Sequence, residues 1–377
     1  MRVVIISDSH TKENIETIFE YIKSKAISWR PDLIIINGDV LGENEAKEGY
    51  GYNSKAQFNA TLDKEKTLKS IFPEKYIELK NLIDKHTNRD VRDEKTELEL
   101  ANLIKDYVWA RYDWLFVTLK KFSTLGKTYF NIGTYESPLH YNVLKELAFL
   151  LDVDEQYIRK TALLSNYRDA FKDFQAKFKD PGLKKLVYVA GMAGIEGDLM
   201  VVGIPGFNSS TVPGDSFSDF QERTTSELLA TARRQMSYST KMIILNQTQG
   251  KLRKDPFAFR PASQALRGFI EDISGKMKQK LYVQSYHHFM TTHFYNASDF
   301  HFLLNNAAVN NSLFNMVEFS NKVNCFDIDP KLDKIRKLNL YNYNIVEYDR
   351  QEARVALNYE DSVDVIKERD LDGCYYM

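Results

Sequence analysis

Short β-branched apolar runs alternate with long tracts of helical period along this chain. Arg2-Val3-Val4-Ile5-Ile6 is nearly continuous in apolar residues, as a strand buried on both faces should be. Thr11 can cap a helix carrying Ile15, Ile18, Phe19, Ile22 and Ala26 at helical spacing, and Pro31 closes the connection. Leu33 to Ile36 is a second strand. The link is long enough for a helical crossover, so the two strands should be parallel. Similar runs follow at Thr128 to Ile132, Leu186 to Ala190, Leu199 to Ile204, Lys241 to Leu245 and Leu281 to Gln284, each ending in a Gly or polar cluster. Parallel α/β sheets place their chemistry just beyond the C-terminal ends of such strands.

Between the strands lie two tracts rich in Lys, Glu, Leu and Ile. One, about 46–125, reads as a helical insertion, and the second covers about 139–182. Val323 to Ile328, Leu338 to Val346 and Ala353 to Tyr359 alternate with polar breaks and predict antiparallel strands. The expected organisation is one domain over 1–330 and a C-terminal β extension over 331–377. Leu144 to Leu151, with Leu163 and Leu164, reads as internal core of the insertion, the alternative being a face for a partner.

Composition narrows the function classes. The 51 Lys+Arg nearly cancel 52 Asp+Glu, so the chain lacks the field of an obligate nucleic-acid binder. Basic stretches at Arg233-Arg234 and from Lys251 to Arg267 read as solvated faces, leaving nucleic acid a weakly supported partner. Cys325 and Cys374 are too few for a disulfide framework. No apolar run reaches the roughly 18 residues of a membrane span, and Val3 to Ile6 is too short for a signal-peptide core. A soluble cytoplasmic protein with no membrane partner is the expectation. Phosphate-loop and dinucleotide fingerprints are absent.

The chemistry sits after the first two strands. Asp8-Ser9-His10 ends one and Gly38-Asp39 ends the other. If the strands are parallel neighbours, two carboxylates and an imidazole share a crevice and suit a divalent metal. Asp and Gly also terminate strands for purely structural reasons, but the two motifs at this spacing, both after apolar runs, favour the metal.

With those motifs the sequence resembles the calcineurin-like metallophosphoesterases. Later family motifs fall in order on Gly133-Thr134-Tyr135-Glu136, Asn246-Gln247 and Ser285-Tyr286-His287-His288. The resemblance implies an α/β sandwich, a mixed β core flanked by helices with a helical insertion. It implies at most one metal (Mn, Zn or Fe), held where present by Asp8, His10, Asp39 and His288. The second family metal would need Thr134, Asn246 or Gln247, and Tyr286 beside Asp39, and neutral amides, a hydroxyl and a phenol replace imidazole poorly. Tyr135 stands where the family places a His that steadies the phosphoryl group, and Glu136 orients that His, so here Glu136 loses its usual partner. Two functions follow. The first is a catalytically weak or inactive pseudo-phosphoesterase that holds a macromolecular partner through its insertion. The alternative is a mononuclear hydrolase of a phosphoester ligand, with Tyr135 and Glu136 in catalytic roles. His287 is a lesser ligand alternative; His293 and His301 read as packing residues, and His86 and His140 as surface groups.

Overall fold

The computed structural model describes residues 1–42, 63–87, 93–137, 142–206, 216–236, 239–247, 250–251, 260–261, 263–273, 275–289, 292–297, 300–306, 312–339, 341–349 and 352–358. The strands among them are β1 (Arg2–Ile6), β2 (Leu33–Asn37), β3 (Lys127–Asn131), β4 (Leu186–Tyr188), β5 (Ala193–Glu196), β6 (Leu199–Ile204), β7 (Lys241–Asn246), β8 (Gly250–Lys251), β9 (Arg260–Pro261), β10 (Gln279–Phe289), β11 (His293–Ala297), β12 (Phe300–Asn306), β13 (Phe314–Phe319), β14 (Val323–Asp329), β15 (Lys334–Lys337), β16 (Tyr341–Asp349) and β17 (Glu352–Asn358). They form a seven-stranded sheet, β15-β14-β13-β1-β2-β3-β4, an eight-stranded sheet, β17-β16-β11-β12-β10-β7-β6-β5, and a two-stranded ribbon. Both large sheets are mixed. β1 to β4 are parallel, as are β6, β7, β10 and β12, while β13 to β15 run antiparallel. This is the mixed α/β sandwich flanked by helices that the sequence predicts.

Strand alternation sorts the apolar residues into layers. Val3, Ile5, Leu33, Ile35 and Tyr129 of one sheet meet Val201, Ile243, Leu245 and Val283 of the other in a shared core. The opposite faces, Val4, Ile6, Ile34 and Ile36 on one side and Met242, Ile244 and Tyr282 on the other, bury against helices. Helix α1 (Lys12–Trp29) connects β1 to β2, and β1 pairs β2 in parallel from Val3↔Leu33 to Ile6↔Ile36. The predicted crossover is therefore present.

The expected insertion contains α2 (Lys64–Ile71), α3 (Tyr76–Thr87) and α4 (Glu94–Leu125), and the second tract contains α5 (Asn142–Leu151), α6 (Glu155–Ala162) and α7 (Asp169–Lys177). Residues 43–62, 88–92 and 138–141, His140 among them, lie outside the described residues. Asp63, Asp93 and Asp154 cap α2, α4 and α6 by accepting backbone N–H groups. Leu144, Leu147 and Leu150 are buried as expected, whereas Leu163 and Leu164 are exposed. His86, expected at the surface, is buried against Tyr157. Its position on the inner face of α3, beside Leu79 and Ile83, explains the difference.

At the centre of these helices Arg111 of α4 makes a buried two-pronged ion pair with Glu146 of α5. Its guanidinium carbon lies 4.3 Å from the Trp114 ring centroid, and Tyr107 donates to Glu146 at 3.4 Å. Burial lifts the Glu146 carboxyl to about 7 against the pull of Arg111. Such a pair costs much to halve and little to replace whole. Arg111→Ala should destabilise the fold by about 3–5 kcal/mol in urea unfolding, and the double change Arg111→Met, Glu146→Leu should restore most of it. Equal losses in both variants would show that the pair does not act as a unit.

Candidate metal centre

Both β1 and β2 end in backbone that few residues adopt. Asp8, His10 and Asp39 all have left-handed φ, at 51°, 49° and 52°. Asp and His tolerate this region better than most residues, yet each such position costs roughly 1–3 kcal/mol. The two loops repay it by zipping together: the Asp8 N–H donates to the Gly38 carbonyl and the His10 N–H to the Asp39 carbonyl, both at 3.0 Å. The result brings one ligand atom from each of Asp8, His10 and Asp39 within 4.8 Å of the others, with all three residues buried. The parallel register predicted this convergence.

Two glycines let the loop after β3 close on this pair. A Cβ on Gly133 would sit 2.2 Å from Asp39 Oδ1, and one on Gly38, at φ +74°, would sit 2.4 Å from the Gly133 nitrogen. Backbone therefore touches backbone. Into the gap comes Glu136, fully buried. Its Oε2 accepts the Asp39 N–H at 2.8 Å and the Gly133 N–H at 2.7 Å; its Oε1 accepts the Val40 N–H at 2.7 Å and the Leu41 N–H at 2.9 Å. Burial pushes this carboxyl up, and the four N–H groups pull the other way. In place of the histidine that the family resemblance assigns to it, Glu136 has four main-chain partners.

Tyr135 packs its ring edge-on against His10, with centroids 5.0 Å apart at 86°, and its N–H donates to Asp39 Oδ1 at 2.8 Å. Only 2% of the residue is exposed. Gly42 leaves room for the ring, because a Cβ there would lie 2.1 Å from Tyr135 Cδ1. Lys145 Nζ stands 5.8 Å from the centroid of the same ring.

The positions aligned with a second metal are spread over two environments. Thr134 is buried beside the Gly133 turn. Asn246 continues the outward face of β7, where its amide donates to the Tyr282 hydroxyl at 2.8 Å and to Gln284 Oε1 at 2.7 Å. Gln247 continues the inward face, and its amide donates across the sandwich to the Asn37 carbonyl. The sequence alone leaves Asn246 and Gln247 as equal alternatives; Gln247 is the one that faces the crevice. Tyr286, His287 and His288 belong to β10, which runs on to Phe289 with a register shift after Gln284. Their side chains lie outside the described residues, so the expected His288 ligand does too.

A polar belt that sequence reasoning missed closes the inter-sheet core here. Asn131 donates to Asn37 Oδ1 at 2.9 Å and to the Ile204 carbonyl at 3.0 Å, and Asn37 donates to Ser285 Oγ at 2.8 Å. The available signal is that Asn37 and Asn131 each end an apolar strand one or two residues before a glycine.

The donor set fits a divalent cation. Two carboxylates and an imidazole suit Zn, Mn or Fe. Ligand atoms each about 2.1 Å from one ion are at most about 4.2 Å apart. Ligand atoms now within 4.8 Å of one another would therefore have to draw closer around an ion.

Residues 1–110 match the family model of the calcineurin-like phosphoesterases. That stretch holds β1, β2 and all three of Asp8, His10 and Asp39. The N-terminal part of the chain is thus similar in sequence to the metallophosphoesterases, and the two mixed sheets flanked by helices agree with that fold. Among solved structures, a similar one is TT1561 of Thermus thermophilus, at 8% identity and a TM-score of 0.33, covering 90% of this chain and 98% of that one. Another is GAP50, the anchor in the inner membrane complex of Plasmodium, at 9% identity and a TM-score of 0.42, covering 100% of this chain and 95% of that one. No curated protein sequence matches.

Gly133→Ala should cut Mn²⁺ affinity at least tenfold in titration calorimetry, because the new methyl must displace the Asp39 carboxylate. Unchanged affinity in a folded variant would show that Asp39 binds no metal from this position.

Proposed function

We propose that this protein is a one-cation pseudo-phosphoesterase: it binds a divalent metal at Asp8, His10 and Asp39, turns over phosphoesters weakly or not at all, and serves as a macromolecular binding module. The observation that carries this reading is the fate of the second-metal positions. Gln247 ties one sheet to the other through Asn37, and Asn246 is committed on the far face of β7. Both are neutral amides whose NH2 groups are engaged within the protein. Two-metal hydrolysis clamps the attacking and the leaving oxygen together, and one ion cannot do both.

A cation at this site supplies Lewis-acid polarisation of a bound phosphoryl oxygen. The chain's own part is positional. Glu136 fixes the Asp39 loop, and Tyr135 packs edge-on against the His10 ring, buried away from solvent. The partner surface is assigned to the helical tracts, where Leu163 and Leu164 are 61% and 53% exposed at the end of α6. A mononuclear hydrolase is the second reading. It is favoured by the retention of three buried donors in costly left-handed backbone, which a purely structural strand end does not require.

Elemental analysis after Mn²⁺ loading and desalting should find one ion per chain and none in Asp39→Asn. Hydrolysis of p-nitrophenyl phosphate and of its diester should stay at the level of that variant. Two ions per chain would overturn the proposal. Turnover that Asp39→Asn abolishes would replace it with the hydrolase reading.

A further inference from the structure

We propose that the β14–β15 hairpin is a contact site for an anionic bilayer surface, distant in sequence from the metal motifs and independent of the reading given for them. Residues 331–337 are exposed without interruption. Leu332 at the tip is 72% exposed, the most of any large apolar side chain among the described residues, and Ile335 beside it is 46% exposed. Within residues 331–337 these two are flanked in sequence by four cationic residues, Lys331, Lys334, Arg336 and Lys337, and one carboxylate, Asp333.

The acidic groups of the hairpin are already engaged. Asp329 accepts the N–H groups of Lys331 and Leu332 at 3.0 and 3.1 Å. Asp333 accepts the Tyr21 hydroxyl at 2.7 Å and pairs with Lys25 of α1. Asp327 holds Arg336 and Asn315, both at 2.7 Å. Among the described residues, Lys331, Lys334 and Lys337 are left with no ion pair. The same bonds make the tip rigid, so its apolar side chains need little further ordering on contact.

An exposed apolar turn flanked in sequence by unpaired lysines fits a surface that is negative outside and apolar beneath. An exposed edge strand alone is a weaker signal, because lysines there also deter edge pairing. Leu332 decides between the two: deterring an edge needs no outward leucine at the turn. A groove for an acidic peptide would likewise use the lysines and leave Leu332 idle.

The test is co-sedimentation of the full chain with vesicles of phosphatidylcholine alone or mixed with phosphatidylserine, at low and high salt. Binding to the anionic vesicles should exceed binding to the neutral ones at least tenfold and fall with salt. Lys331→Gln, Lys334→Gln and Lys337→Gln should each lower it about fivefold. Leu332→Ser should lower it with the charge unchanged, while circular dichroism and Mn²⁺ binding stay as in the parent. Equal partition onto both vesicle types would overturn the proposal. So would binding that ignores Leu332→Ser but is displaced by polyglutamate, which would assign the patch to an acidic protein.

Discussion

The buried Glu136 carboxylate, accepting four main-chain N–H groups from two loops, is the contact on which the arrangement of the metal centre depends. Asp39 sits in a left-handed conformation between two of those donors. Without an acceptor there, N–H groups at the ends of β2 and β3 would be buried unsatisfied, at about 1–3 kcal/mol each. The turn would then open to reach water. A carboxylate is the side chain suited to this task, because it offers acceptors only, on two oxygens. The residue that the family resemblance assigns to orienting a histidine thus orients a backbone loop instead, and through it a ligand.

A belt of neutral polar side chains closes the crevice beside the three candidate ligands. The two sheets share an apolar core up to Tyr129, Leu245 and Val283, and beyond it Asn37, Asn131, Gln247 and Ser285 hydrogen-bond to one another and to carbonyls. These amides and hydroxyls satisfy the ends of buried strands without carrying charge. Beyond Asp39, the belt itself offers a cation only neutral oxygens.

Much of the site was legible in the sequence for a specific reason. Asp8, His10 and Asp39 end strands whose continuous apolar character and helical connection dictate a parallel pair, and a parallel pair dictates that the ends meet. Gln247 could also have been chosen over Asn246 by counting strand alternation from the inward-facing Ile243 and Leu245, since a one-residue shift reverses every side chain. The role of Glu136 could not, because an acceptor for main-chain N–H groups leaves no trace in the identity of its partners. β15 was invisible as well: Lys-Ile-Arg-Lys has no buried face, and only its pairing to β14 makes it a strand. His86 was misplaced because a lone histidine in a charged helix reads as surface until its register against Leu79 and Ile83 is known.

The helical tracts bear on the metal centre more directly than an appended module would. Tyr112 of α4 donates its hydroxyl to the Glu136 carbonyl at 2.9 Å, so α4 grips the residue that grips the Asp39 loop. The residue before it, Arg111, is locked to Glu146 of α5, and Lys145 of that helix stands over the Tyr135 ring. Helices α4 and α5 thus meet the metal loops from two directions through buried, directional contacts. A shift of α4 along its axis cannot leave Glu136 where it is, because a hydroxyl-to-carbonyl bond tolerates only a few tenths of an ångström. A partner that bends these helices would therefore alter the spacing of Asp8, His10 and Asp39, and a cation that draws those three together would stiffen α4. The coupling is reciprocal by thermodynamic necessity. Under the proposed reading, that coupling would give a metal a use without turnover: ion binding would shape the surface the helices present.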